Sequence, residues 1–203
     1  MPDEDRSPST KTLQARARAL LNPAGRALHR LGVHPDAVTV AGLVVVGIAS
    51  VLVGLGQLQV GGLVLLLGLP LDALDGAVAR ARPTRRRFGA VLDSVLDRYA
   101  DGFIFMGLSY YFAQHDRFAM LLLAQTALIG SLLVSYVRAR GDGVDCAATL
   151  GWFTRVERAL VILLALLIPP LLEPGVLLLA LGTNGTALQR LWFIRNDLHN
   201  RGE

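Results

Sequence analysis

The sequence predicts an all-α protein, with about six transmembrane helices behind an N-terminal amphipathic helix lying in the membrane interface. Two observations carry this. Of its 203 residues 53% are hydrophobic, and the Leu-, Val-, Gly- and Ala-rich runs are broken only by short polar clusters. The basic residues behind the net charge of +4 gather between apolar runs, which fits positive-inside topology better than nucleic-acid binding. No repeat of roughly 20–50 residues organises the chain, so a solenoid is excluded.

Residues 1–10 are acidic, carry Ser and Pro, and lack the apolar core of a signal peptide, so they read as a disordered tail. Residues 11–31 mix Leu and Ala with Lys11, Arg16, Arg18, Arg26 and Arg30, and Pro23 interrupts them. This segment is expected as a juxtamembrane helix with its arginines toward lipid headgroups. A solvated basic helix would share the same amphipathicity. Residues 32–196 form the six-helix domain, with spans near 37–57, 60–81, 88–114, 117–140, 156–172 and 175–194, and 197–203 make a cytoplasmic tail.

Arg80 to Arg87, Arg138 to Arg158 and Arg190 to Arg201 fall in alternate breaks, whereas the others hold little beyond Gln57, Gln59, Asp116, Arg117 and Glu173. The bias puts both termini in the cytoplasm and makes the chain a multi-pass protein of the cell membrane. Gly42, Gly47, Gly54 and Gly56 permit close helix approach. The single cysteine, Cys146, excludes a disulfide frame and a thiolate metal cluster.

The second and third spans are apolar at one end and charged at the other. Asp72, Asp75, Asp93 and Asp97 lie within residues 72–97. Carboxylates inside membrane segments are costly unless a cation meets them. On helices, Asp72 and Asp75 share a face one turn apart, as do Asp93 and Asp97. Two such helices joined by a basic turn make an oxygen-rich cage suited to Mg2+ or Mn2+, and to two ions bridging a diphosphate. Gly76 and Gly89 let a phosphate or base approach the backbone, Ala79 is small in keeping, and Arg80 can offer its planar fork to a phosphate. Structural pairing with Arg80, Arg85, Arg86, Arg87 or Arg98 is the competing account of the aspartates. Asp101, a turn beyond Asp97, reads as a group orienting Arg98.

These residues resemble the CDP-alcohol phosphotransferase signature D-x2-D-G-x2-A-R-x8-G-x3-D-x3-D at every fixed position: Asp72, Asp75, Gly76, Ala79, Arg80, Gly89, Asp93 and Asp97. The likeness implies a membrane enzyme that moves a phosphatidyl group from a CDP-activated lipid to an alcohol and releases CMP. By carry-over the four aspartates hold two metal ions and Asp97 is the general base. Thr39, Asp75, Gly76, Ala79, Arg80 and Gly89 shape the CDP site. The resemblance also implies a homodimer.

Further elements are similar to the inositol phosphate branch of the family, whose donor is CDP-diacylglycerol or CDP-archaeol. They are Gly32 to Thr39, Ser135 to Arg140, Arg155 to Arg158, Gln189-Arg190 and the pair Asp97-Arg98. Arg138, Arg140, Arg158 and Arg190 carry over as the pocket for the acceptor phosphate, and converging guanidinium forks suit a phosphomonoester. Glycerol 3-phosphate is the rival acceptor within the family. A membrane prenyltransferase and a cation transporter are the readings outside it, although their acidic motifs belong on distant helices or at span centres. Loop 141–154 carries no element assignable from sequence.

Overall fold

A computed structural model of the chain describes residues 34–68 and 87–202. The tail at 1–10, the helix expected at 11–31, and Asp72, Asp75, Gly76, Ala79 and Arg80 lie outside the described residues. Within them the secondary structure is wholly helical. Helix α1 spans Pro35–Gly54, α2 is followed from Leu58 to Gly68, and α3 spans Arg87–Gln114. Helices α4 (Phe118–Asp142), α5 (Arg155–Leu167) and α6 (Leu172–Arg201) complete the order, with a 3-10 turn at Pro169–Leu171. Among the described residues three helical segments are long and apolar enough to cross a bilayer: Asp36–Gly54, Phe118–Asp142 and Pro169–Arg201.

Helix ends follow from local chemistry. At the end of α1, Gly56 takes φ 82°, Gln57 N–H donates to Leu52 O at 2.9 Å and Gly56 N–H to Val53 O at 3.0 Å. That left-handed cap satisfies carbonyls the helix would otherwise strand. Aspartates fill the same role after α3, at Asp116, and after α4, at Asp145, both with φ 55°. Asp can enter this region because its short polar side chain bonds locally.

The span expected as one helix over 156–172 is corrected. Helix α5 has 13 residues, a length of about 20 Å against a hydrocarbon core of roughly 30 Å. Pro169 and Pro170 lack the N–H groups that would continue it, and Ile168 is pushed to φ −118°, ψ 89° as residues before proline are. A helix starts again at Leu172 and runs past the expected end at 194 to Arg201.

The chain divides into two compact units. One takes residues up to Val44 with Leu67–Asp97, and the other takes Val45–Leu66 with Arg98–Glu203. In the second, Phe105, Leu108 and Phe112 on α3 repeat at helical spacing and pack with Ala49, Val53, Leu166, Val176 and Leu179 into one core. Between α4 and α6, the most extensive helix pair among those described, the approach is made at small and polar residues, although Leu172, Leu179 and Ile194 are also buried on α6. Ala124, Ala127, Gly130, Ser131 and Val134 line α4, and Val176, Ala180, Thr183 and Ala187 line α6. Leucines 122, 132, 133, 177, 178, 181, 188 and 191 are exposed instead. In lipid, tails match leucine, so close packing and interhelical hydrogen bonds hold the helices together. Asn184 Nδ2 supplies one such bond, donating to Thr126 O at 2.9 Å.

Gly130 makes the approach possible: a Cβ there would overlap the Thr183 side chain and lie 2.6 Å from Asn184 Nδ2. Gly130→Ala is expected to destabilise the protein by about 1–3 kcal/mol through overpacking. Gly185→Ala, where a Cβ meets open space, should be neutral, and thermal unfolding of both variants in detergent checks the contrast.

Candidate active site

In the first unit, Pro35 opens α1, where its missing N–H costs nothing, and Asp36 in the first turn suits the helix dipole. A Cβ at Gly89 would sit 3.5 Å from Asp36 Oδ1, so the lead-in to α1 and the signature glycine are neighbours. Thr39 follows one turn after Asp36, half-buried. On α3, Asp93 and Asp97 are half-buried and one helical turn apart, as their spacing required. Among the described residues no group of three or more His, Cys, Asp or Glu side chains forms a metal cage. The donors present do fit a hard divalent cation, because Asp93 and Asp97 offer carboxylate oxygen from consecutive turns of one helix.

The second unit gathers the arginines. Arg158, in the first turns of α5, is buried, and its Nη2 donates to Asp101 Oδ2 on α3 at 3.0 Å. Its buried Nε has no hydrogen-bond partner among the described residues. The bond gives Asp101 a role that sequence spacing, which pointed to Arg98, did not show.

The turn that starts α5 is fixed by its own sequence. Glu157 Oε2 accepts the Thr154 backbone N–H at 3.0 Å and also the Thr154 hydroxyl, in a Thr-x-x-Glu capping box. In the Arg155–Arg158 element, then, the glutamate caps the helix that presents Arg158.

Arg190, buried on α6, is held by two backbone carbonyl dipoles. Its Nη1 donates to Val134 O on α4 and its Nε to Leu150 O in the loop after α4, both at 2.7 Å. Phe153 N–H donates to Thr186 Oγ1 at 3.0 Å, and Arg201 Nη2 donates to Asp145 O at 3.0 Å. The loop that sequence left unassigned is thus bound along α6 and delivers the carbonyl that orients Arg190. Carbonyl acceptors carry no side-chain signature, so these contacts could not be read in advance.

Arg138 and Arg158 both lie close enough for their charges to act on Arg190. The structure therefore places two of the expected arginines within electrostatic range of a third, Arg190. Arg140 is exposed in the last turn of α4, where its charge complements the carbonyl end of the helix. Gln189, beside Arg190, keeps a buried Oε1 without a partner among the described residues, as Ser131 does its Oγ. Stranded buried polar atoms of this kind mark places where a polar ligand or water belongs.

Long apolar helices that carry ionisable side chains define a class, the integral membrane proteins with a functional polar site. Within it, the chain belongs to the CDP-alcohol phosphatidyltransferase family, whose sequence profile matches residues 32–188. It is 36% identical over 182 residues to a phosphatidylinositol phosphate synthase of Mycobacterium tuberculosis, covering 85% of this chain and 84% of that one. It is also 36% identical over 172 residues to an archaetidylinositol phosphate synthase of Methanothermobacter thermautotrophicus, covering 81% and 85%. The crystal structure of the Mycobacterium tuberculosis enzyme with CDP-DAG bound matches with a TM-score of 0.82 at 33% identity, over 87% of this chain and 94% of that one. That enzyme in complex with manganese and citrate matches at 0.81 and 34% identity, over 86% and 88%.

Cys146 takes no part in these groupings. It is buried beside Ile194, and burial, reinforced by a hydrogen bond with Asp197, pushes its thiol pKa up. A raised pKa keeps the thiol protonated and unreactive at neutral pH. The folded protein should resist N-ethylmaleimide at pH 7.5, and labelling followed by intact mass should appear only on unfolding.

Proposed function

We propose that the protein transfers the phosphatidyl group of CDP-diacylglycerol, or the archaetidyl group of CDP-archaeol, to inositol phosphate and releases CMP. One observation carries the choice of a phosphorylated acceptor: Arg138 and Arg158, from two other helices, lie within electrostatic reach of Arg190. Mutually repelling guanidinium groups are stabilised by an anion between them, and a phosphomonoester on the acceptor is that anion. The mycobacterial and archaeal relatives, both named for inositol phosphate products, support the same reading.

In the proposed mechanism Asp72, Asp75, Asp93 and Asp97 hold two divalent ions, Mg2+ or Mn2+. Bound there, the ions supply charge neutralisation at the donor diphosphate. Thr39, Asp75, Gly76, Ala79, Arg80 and Gly89 receive the CDP moiety. Arg138, Arg140, Arg158 and Arg190 bind the acceptor phosphate and so hold its hydroxyl toward the donor. Asp97 takes the hydroxyl proton as the oxygen bonds to the lipid-side phosphorus, and the bond from that phosphorus to the CMP oxygen breaks. CMP leaves with the electron pair of that bond. In this reading residues 32–196 form a six-helix domain behind a juxtamembrane helix at 11–31. The segment at 1–10, the C-terminal end of α6 and the active site face the cytoplasm, and the chain works as a homodimer in the cell membrane.

Purified protein in detergent with Mg2+ and CDP-diacylglycerol should release CMP with inositol 3-phosphate and far less with glycerol 3-phosphate. Turnover confined to glycerol 3-phosphate would overturn the acceptor assignment, and absence of CMP with either would favour a transporter. Asp97→Asn should lower kcat by about 100-fold or more, as loss of a general base does, while leaving the unfolding midpoint near that of wild type.

A further inference from the structure

From the Arg158 contacts we infer that Asp101 is a positioning residue for the acceptor: it holds Arg158 in the orientation that presents the guanidinium edge to the acceptor phosphate. The inference rests on the proposed acceptor pocket and adds to it a residue outside the family signature, four positions beyond Asp97 in sequence.

A guanidinium has five N–H donors in a rigid plane, so fixing one nitrogen fixes the directions of the others. Asp101 Oδ2 fixes Nη2 at 3.0 Å. The Nε is then left buried with no partner among the described residues, although Arg158 is only 4% exposed. Leaving a charged donor buried and unsatisfied is unfavourable, and a site that tolerates it is built for a ligand that completes it.

Charge gives the second reason. Arg138 and Arg158 act on Arg190 electrostatically, and the bonds recorded for Arg190 go to carbonyl dipoles, which orient it without neutralising it. In the pocket without acceptor, the Asp101 carboxylate offsets one of three like charges and keeps Arg158 from being driven out of register. With acceptor present it still fixes the plane, and a phosphate dianion meets a preset fork instead of a mobile side chain.

The test compares the full-length wild type with Asp101→Asn and Asp101→Glu in detergent, measuring KM for the acceptor, KM for CDP-diacylglycerol, kcat and the unfolding midpoint. Asp101→Asn keeps the shape and a carbonyl acceptor but loses the charge. Its acceptor KM should rise by about tenfold or more, the effect of losing one charge-assisted hydrogen bond, while the CDP-diacylglycerol KM stays within twofold. Asp101→Glu, with the charge restored on a longer arm, should recover part of the acceptor KM; if Asp101→Asn fails to fold, a selective rise in the acceptor KM of Asp101→Glu is the supporting result.

A purely structural salt bridge would lower the unfolding midpoint and leave the ratio of the two KM values unchanged, and that result overturns the inference. The acceptor is whichever phosphorylated alcohol the wild type turns over. An incorrect acceptor assignment therefore appears in the wild-type enzyme, and an incorrect role for Asp101 appears in the ratio of variant to wild type. A wild type that uses only unphosphorylated alcohols overturns both.

Discussion

A guanidinium buried among apolar helices must find partners inside the protein, and the second unit is organised around two that do. Arg190 joins α4, the following loop and α6 through two carbonyl oxygens, and Arg158 joins α5 to α3 through Asp101. Removing a partner from a buried charge costs about 3–5 kcal/mol, far more than the net value of the intact pair. These contacts therefore specify which helices are neighbours more than they add stability. The loop that runs along α6 follows from the same demand, since it brings the Leu150 carbonyl to Arg190.

Membrane burial also inverts the usual relation between hydrophobicity and core. Leucine is so abundant on α6 that a hydrophobic stripe cannot be read from sequence. The inward face shows itself through Gly175, Ala180, Thr183, Thr186 and Ala187 at three- and four-residue spacing, while Leu181, Leu188 and Leu191 point outward. Lipid solvates leucine as well as protein does, so only shape and hydrogen bonding distinguish the faces. This is why helix positions for α3 and α4 were legible to within a few residues, and why the packing face was legible only through its small residues.

The aspartates could be read because their chemistry is carried by side chains at fixed spacing: Asp93 and Asp97 lie on one face of α3 as expected. The arginines were legible as a set but not individually. Sequence treated Arg138, Arg140, Arg158 and Arg190 alike, whereas the structure separates exposed Arg140 at a helix end from buried Arg158 and Arg190. Asp101 was visible as a charge in an apolar helix, but its partner lies 57 residues away and no local rule links them. The break at the end of α5 comes from Pro169-Pro170, which interrupt an apolar run long enough to read as one span over 156–172.

The two buried arginines are held in different ways, and the difference bears on how a pocket of this kind recognises an anion. A carbonyl oxygen orients a guanidinium by its dipole and leaves the net charge intact, so Arg190 continues to project positive potential from within the bundle. A carboxylate orients and also neutralises, so Arg158 contributes geometry more than field. Arg138, exposed at its helix end, adds a charge that solvent partly screens. In the proposed reading, a pocket assembled from one field source, one geometric fork and one solvated cation would attract a phosphate without holding it so tightly that a phosphorylated product could not leave. Three fully uncompensated buried arginines would bind an anion more strongly but would also repel one another in the empty state. In the proposed reading, a turnover enzyme needs this intermediate arrangement, and Asp101 is the group that sets it.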